Sequence, residues 1–557
     1  MKRLFYGGLL AFVPSLMWAQ SNDDKGQFSG NLLLNYQKYL RDDNIGASTK
    51  VYQENSASVD AWLFMNYRIK GYSFTVRYDA LNNSPLLNPQ GSHTNHGIGF
   101  WQASKQIDKL NITAGSFYDQ LGSGILFRAY EQRQIGIDYA LQGIKLEYAF
   151  SNKWKLKGFG GNQKGYLDNR FGFSKQVVAG ANLEGNINLG TDGKYGTLQV
   201  GSSALNRTLD RSTVDGLVAE INTYELDKRF IPKYNVYGFN GYFSYNRGNL
   251  TWNAEVNYKT PEAIRDMGNK LFLSAGKVYY SSLSWGKSGM KWGKQKASIG
   301  LNLQARHVDK FPLRITPNEQ LLNGVMSYLP SMTRQNTYRL LARYNAPAQE
   351  LGENGIQGEL DIKPRKGTQI TLNGSYVKSL ESNGKNNQAI VLFREYYGEV
   401  IQTLSKKTKL KLGMQSVRYN QARYEQENGY DDVYTLTPFG ELTLKLPKQR
   451  SLRLESQYLH TEKDQGSFAN LVAEFYLNPI WYVGAGDMVN IEPHRYGNMV
   501  IVDNVLHYPM IYMGYTKGNS VYTIGYLKQQ QGVNCSGGIC RLEPAFSGVR
   551  FTVSSNF

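Results

Sequence analysis

Phe546-Ser-Gly-Val-Arg-Phe-Thr-Val-Ser-Ser-Asn-Phe557 reads as a strand with two unlike faces. Val549, Phe551, Val553 and Phe557 fall on one side and Arg550, Thr552, Ser554 and Asn556 on the other, because successive side chains of a strand point in opposite directions. One face suits lipid and the other a wet lumen, as the closing strand of a membrane β-barrel requires. Such a strand has to be paired on both sides, since an unpaired edge in lipid is costly.

The beginning of the sequence agrees. Lys2 and Arg3 precede an apolar stretch from Leu4 to Trp18, and Ala19-Gln20 offers a cleavage point. This pattern predicts a secretory signal peptide over residues 1–19, too short to be a membrane span. Residues 20–557 then form a single outer-membrane barrel domain. No Cys occurs among the first twenty residues, so a lipid anchor is not expected.

Beyond the leader, no segment reaches the roughly 18 uninterrupted apolar residues of a membrane helix, and mean hydropathy is −0.47. A barrel tolerates this, since only alternate residues need be apolar. The 40 Tyr, 24 Phe and 8 Trp exceed the needs of a soluble core and suit the aromatic belts at membrane interfaces. The net charge of +18 is spread along the chain. With no nucleic-acid-binding module visible, nucleic acid is not an expected partner.

Short turns recur between strand-like runs: Lys70-Gly71, Asp108-Lys109, Asn152-Lys153, Asp192-Gly193-Lys194, Arg247-Gly248-Asn249, Lys287-Ser288-Gly289, Pro364-Arg365-Lys366-Gly367, Lys406-Lys407, Pro447-Lys448-Gln449-Arg450, Asn478-Pro479 and Lys517-Gly518-Asn519. Each has hairpin chemistry. They alternate with longer polar connections at 40–54, 81–95, 119–132, 205–232, 307–334, 488–508 and 530–544, the pattern of tight periplasmic turns and long outside loops. Eleven turns, with one strand added at 28–40 and one at 545–557, predict a closed antiparallel transmembrane β-barrel of about 24 strands, within 22–26. Both termini then lie at the turn rim. Strand-like pieces at 214–224 and 335–346 break the alternation and are assigned to loops, as edge hairpins or plug elements.

A barrel of this size encloses a wide lumen. Little sequence separates the cleavage point from the first strand, so no N-terminal plug domain is expected there. Inward folding of long loops, with 205–232 and 307–334 as candidates, or a partner protein would fill the space. The segment Gly115–Asp138 is the densest in function-bearing side chains, with Asp119, Arg128, Glu131, Arg133 and Asp138 beside Tyr118 and Tyr130. The bend Gly122-Ser123-Gly124 suits a loop turned into the lumen. These charges suit either a constriction with a transverse field or an ion-pair network pinning the loop to the wall.

Cys535 and Cys540 are the two cysteines, separated by Ser-Gly-Gly-Ile. In an exported protein this close pair predicts a disulfide. A metal site lacks nearby His, and no cofactor or metal is expected. His93 and His96 read as an exposed loop pair, and the acidic run Glu425–Asp432 as a solvated loop without calcium-loop spacing.

The Gly115–Asp138 segment and Cys535-Ser-Gly-Gly-Ile-Cys-Arg-Leu-Glu-Pro-Ala-Phe-Ser-Gly548 resemble an uncharacterised outer-membrane β-barrel family of Bacteroidota, a domain of unknown function. The resemblance implies a barrel in the outer membrane of a Gram-negative bacterium, with membrane lipid and lipopolysaccharide around it. It implies no activity and no catalytic residue. By resemblance to other outer-membrane proteins, Val549, Phe551, Val553 and Phe557 form a candidate assembly signal for the barrel-insertion machinery. Three functional classes follow: a porin-like channel narrowed by inward loops, a non-enzymatic scaffold docking envelope or secretion partners, and an outer-membrane hydrolase. The last lacks a nucleophile–base set such as a Gly-x-Ser-x-Gly elbow, so the chain is not expected to be an enzyme.

Overall fold

In a computed structural model, residues 26–557 are described apart from 87–91, 166–169, 320–321, 381–388, 426–431, 494–504 and 537–538; the predicted leader lies outside the described residues. Twenty-four antiparallel strands form one closed sheet. The first strand, Gln27–Tyr39, pairs with Ala57–Ile69 on one side and with the closing strand Phe546–Asn556 on the other. Leu34 stands opposite Val553 and Tyr36 opposite Phe551. Gly30 and Phe557 exchange backbone hydrogen bonds of 2.7 and 3.0 Å, so the seam is sealed to its end. Closure satisfies the backbone groups that an open edge would leave bare in lipid.

Ten of the eleven turns sit where the sequence places them. At Lys70-Gly71 both residues have positive φ, 49° and 75°, which a tight two-residue hairpin demands. The exception is Lys287-Ser288-Gly289. The strand Leu271–Trp292 runs through it with a register shift between Lys287 and Met290, and the chain reverses at Gly293-Lys294. Gly289, at φ 72°, serves a bulge rather than a turn.

Apolar side chains point outward and stay exposed: Ile98, Ile144, Val256, Ile356, Leu412, Leu471 and Ile511 are each 51–61% accessible. Exposed rings mark both ends of the wall, with Tyr376, Tyr396, Tyr434 and Tyr458 toward the loop rim and Tyr72, Phe74, Tyr476, Trp481 and Phe557 toward the turn rim. Polar side chains point inward and are buried. An apolar outside around a polar inside is the reverse of a soluble protein and the arrangement lipid imposes.

Burial of the inward row changes along each strand. On Val433–Leu446, Val433, Thr435, Thr437 and Phe439 are buried, Glu441 and Thr443 half-buried, and Lys445 exposed. On Asn235–Arg247 the same order runs from Val236, Gly238 and Asn240 through Tyr242 and Ser244 to Asn246. The loop-side half of the lumen is therefore filled, and the turn-side half is an open vestibule.

The two strand-like loop pieces turn out differently. Residues 214–224 are not strand-like: Arg211–Ile221 is an α-helix whose stripe Val214, Leu217 and Ile221 packs on Leu209, Ala263 and Leu271 at the rim. The 205–232 loop thus caps the barrel instead of plugging it. Residues 335–346 form no strand but irregular chain with turns at 339–344, and they belong to the plug, one of the two places expected for them.

Candidate functional site

The filled half of the lumen is the candidate site, built from residues 118–140 and 310–351. In the first, Asp119–Leu121 and Phe127–Ala129 pair as a hairpin. Its tip needs glycine: Gly122 and Gly124 have φ of 58° and 98°, and a side chain at Gly122 would overlap the Asn240 amide and the Glu255 carboxylate. Leu121, Ile125, Leu126 and Phe127 at this tip are fully buried against Phe159, Val178, Leu205, Val236, Val278, Val308 and Phe311. This is an apolar core inside the barrel.

Five charged residues of this segment were singled out from sequence. Three gather around Arg77, a wall residue fully buried on the strand Tyr72–Ser84. Arg77 donates to Asp79 at 2.6 Å, to Asp138 at 2.6 Å and to Glu131. Lys164 reaches Asp138 at 2.7 Å, Arg133 reaches Glu131 at 2.9 Å, and the Tyr118 hydroxyl donates to Asp138 at 2.9 Å. Burial alone would raise the Asp138 carboxyl, but Lys164, Arg77 and Arg170 hold it well below the ordinary carboxylate range. At Glu131 burial outweighs Arg77 and Arg133, and its affinity for a proton rises. The other two residues lie elsewhere. Asp119 pairs with Lys157 at 2.5 Å and Lys145 at 3.3 Å, and Arg128 lies over the rings of Tyr328 and Tyr130, at 4.2 and 4.9 Å. The five do not form one constriction.

Residues 310–319 and 322–351 cross the lumen. Both ends are tied together, with Lys310 N–H donating to Leu351 and Phe311 N–H to Glu350. The near half lies against the hairpin: Arg128 N–H donates to Met326 at 2.8 Å and Tyr328 N–H to Gly124 at 3.0 Å. Gln163 and Arg207 of the wall bind the carbonyls of Val325, Arg314 and Ile315. The far half reaches the opposite wall. Arg334 pairs with Glu359, its N–H donates to Glu395 at 3.1 Å, the Tyr338 hydroxyl donates to Glu441 at 2.8 Å and Leu340 N–H to Gln457 at 2.8 Å. Tyr344 donates to Asp464 at 2.7 Å, and Arg343 to Gln530 at 3.0 Å. Met332, Leu340 and Tyr344 then join a second apolar core with Val377, Leu392, Phe393, Val417, Val433, Leu459 and Phe468.

Sequence reading missed Arg77, Asp79, Lys164 and the arginines of 334–343. Arg77-Tyr78-Asp79 did carry a signal: two opposite charges two residues apart share one face of a strand.

The remaining residues predicted from sequence lie apart from the plug. Phe551 stands between Tyr36 and Ile524 across the seam, and the Phe557 ring lies 6.3 Å from Phe28. Cys535 and Cys540 stand opposite each other on the backbone of the hairpin Gly532–Ser536 and Ile539–Glu543; their side chains lie outside the described residues, as does most of 425–432. His96 accepts from or donates to the Tyr78 hydroxyl at 2.9 Å. No metal-holding cluster of three or more His, Cys, Asp or Glu occurs among the described residues.

Among solved structures, the chain is similar in outline to the translocation pore of the P pilus usher PapC, with 9% identity, 95% of this chain and 99% of that chain covered, and a TM-score of 0.42. It is similar likewise to the siderophore receptor PirA from Pseudomonas aeruginosa, with 10% identity, 97% and 81% covered, and a TM-score of 0.42. No curated protein matches the sequence. Residues 1–557 match one family throughout, and the chain belongs to the Family of unknown function (DUF6029).

Proposed function

We propose that the protein is a porin-like channel of the outer membrane, held shut by its own inward-folded loops. The observation that carries the reading is the change of burial along the inward rows, from filled at the loop rim to open at the turn rim. One wall beside the plug also carries a continuous polar row. On Leu250–Arg265 the inward row Asn253, Glu255, Asn257, Lys259 runs from the vestibule to the loop side, and both amide atoms of the buried Asn257 lack a protein partner.

Planar-bilayer conductance tests the proposal. Leu329 and Pro347 border the same cavity, so replacing 331–346 by a short Gly/Ser linker removes the far half of the plug. The intact chain should be silent or flicker, and the variant should give stable open channels. A silent variant that still folds would overturn the channel. The dense packing of both apolar cores favours a second reading, a non-enzymatic docking barrel for envelope or secretion partners. Silence of both proteins together with co-purifying envelope proteins would support it.

The same reading includes export through a signal peptide over 1–19, a turn rim facing the periplasm, a host among Bacteroidota and a disulfide between Cys535 and Cys540. An unreduced protein that takes up two alkyl groups would exclude the disulfide. Assembly through the closing strand belongs here too. Phe557→Asp, which places a charge beside Phe28 at the lipid seam, should abolish most heat-modifiable folded barrel in the outer membrane; wild-type levels of it would remove the assembly role of Val549, Phe551, Val553 and Phe557.

A further inference from the structure

One arc of the turn rim carries charge of a single sign. Residues 285–298, 362–369, 402–410 and 443–451 contain 13 Lys and Arg and no Asp or Glu, whereas turns elsewhere on this rim include Asp108 and Asp192. The four segments form consecutive hairpin turns, on strands that are neighbours in the sheet from Leu271–Trp292 to Arg450–Leu459. Charge that is spread along the chain is thus gathered by the fold. None of these cations makes an ion pair among the described residues. Lys291 even stands directly opposite Lys296, an arrangement that costs stability in a strand pair.

Edge protection accounts for only part of this. Beyond Trp285, which is opposite Leu250, the hairpin tip Lys287–Trp292 pairs only with Gln295–Ile299, so its other edge is open. Lysines there guard the edge against stray pairing. Lys363 and Lys409 have no edge to guard, because their strands are paired on both sides.

Five of the cations, Lys296, Lys363, Arg365, Lys366 and Lys409, line one groove of about 490 Å³ that has no Asp or Glu in its lining. That volume is within the range of small-molecule sites. Arg365 donates from Nε to the Thr368 hydroxyl at 3.0 Å. The four lysines make no side-chain hydrogen bond among the described residues, and all five side chains are exposed. Alternation puts Lys296 in the inward row of Arg306, Lys363 in that of Glu359 and Lys409 in that of Lys411. The groove therefore opens on the mouth of the vestibule. Five converging cations without a carboxylate repel one another, and an anion with several charges relieves all of them at once.

We propose that this groove binds a small solute carrying two or more negative charges on phosphate or carboxylate groups. The inference rests on the channel reading for its role, in which the groove is the turn-side stop of the solute route.

Isothermal titration calorimetry on the detergent-purified full chain tests this with tripolyphosphate and citrate as anionic probes, glucose as a neutral one and a ten-residue poly-Glu peptide as an acidic chain. At least one small anion should bind, glucose should not, and the affinity should fall as salt is raised. The double variant Lys363→Gln and Lys409→Gln should weaken anion binding by about tenfold. Lys194→Gln with Lys517→Gln removes the same charge elsewhere on the rim and should leave it unchanged. Heat-modifiable mobility shows that both variants fold. Binding of neither small anion would overturn the site, and binding of the peptide alone would assign the arc to an acidic protein partner instead. Equal losses in the two double variants would show a diffuse field rather than a site, and would overturn it as well. A barrel that conducts when its plug is removed but binds no small anion loses the site and keeps the channel. One that binds an anion in this pattern but never conducts keeps the site and loses the channel.

Discussion

Residues 209–234 and 310–351 are both long loops at the same rim, yet one stays above the barrel and the other fills it. The first gathers its apolar residues into one compact stripe that a small patch at the rim can cover. Val214, Leu217 and Ile221 recur at helical spacing, Asp210 caps the helix by accepting from Thr213 N–H, and the resulting stripe needs only Leu209, Ala263 and Leu271 as a floor. The second has no such period. Phe311, Leu313, Ile315 and Met326 are buried between the inward hairpin and the wall and Met332 on the far side, where Arg334, Tyr338, Arg343 and Tyr344 also find carboxylates. A loop whose apolar residues fall on one helical stripe is covered at the rim, and one whose apolar residues are dispersed along the chain is covered inside the lumen.

The inward anchor should be the most sensitive point of this comparison. Arg77→Leu leaves Asp79 and Asp138 buried without their central cation, and removal of one partner of a buried pair costs about 3–5 kcal/mol. Guanidinium unfolding of the purified barrel should show that loss, and a change under about 1 kcal/mol would mean that the hairpin is held by its apolar tip alone. The next contrast pairs the two loops directly. Phe311→Ala, in the lumenal core, should cost about 3–5 kcal/mol and Leu217→Ala, in the rim cap, about 2–3 kcal/mol. Only the first should raise channel flicker in bilayers. Equal effects of both on conductance would erase the distinction between plug and cap.

The smallest effect concerns the cap alone. The hydroxyls of Ser212 and Thr213 hold the Asp210 carboxyl down to about 2. Because this folded-state value lies below the ordinary carboxylate value of about 3.9, the contribution is present above about pH 4 and is lost as pH falls through about 2. Asp210→Ala should cost about 1 kcal/mol at neutral pH and nothing further below pH 2, read from unfolding curves across that range. A variant whose stability loss is independent of pH would show that the carboxylate is not the cap.

The barrel was legible because its cause is local. Alternation along Val549–Val553, the Lys70-Gly71 turn and the long polar connections each follow from a strand's two faces and the needs of a hairpin, and they fix the strand number to a narrow range. Lys287-Ser288-Gly289 misled, because a glycine with positive φ serves a bulge as well as a turn. Within the plug, Gly122-Ser123-Gly124 announced an inward bend, and Glu131, Arg133 and Asp138 announced a charge cluster. The cation at its centre could not be found from that segment, since Arg77 lies on a different strand and meets Asp138 only when the neighbouring strands pair and the segment folds inward.

By itself, then, the sequence determined that the chain forms a closed antiparallel barrel with tight turns at one rim and long loops at the other. The period of two and the turn chemistry reside in neighbouring residues. Only the tertiary structure decided which loop fills the lumen and that 335–346 are seated on the far wall. Those outcomes depend on which carboxylates and apolar side chains the closed wall presents to each loop, and closure joins residues hundreds of positions apart.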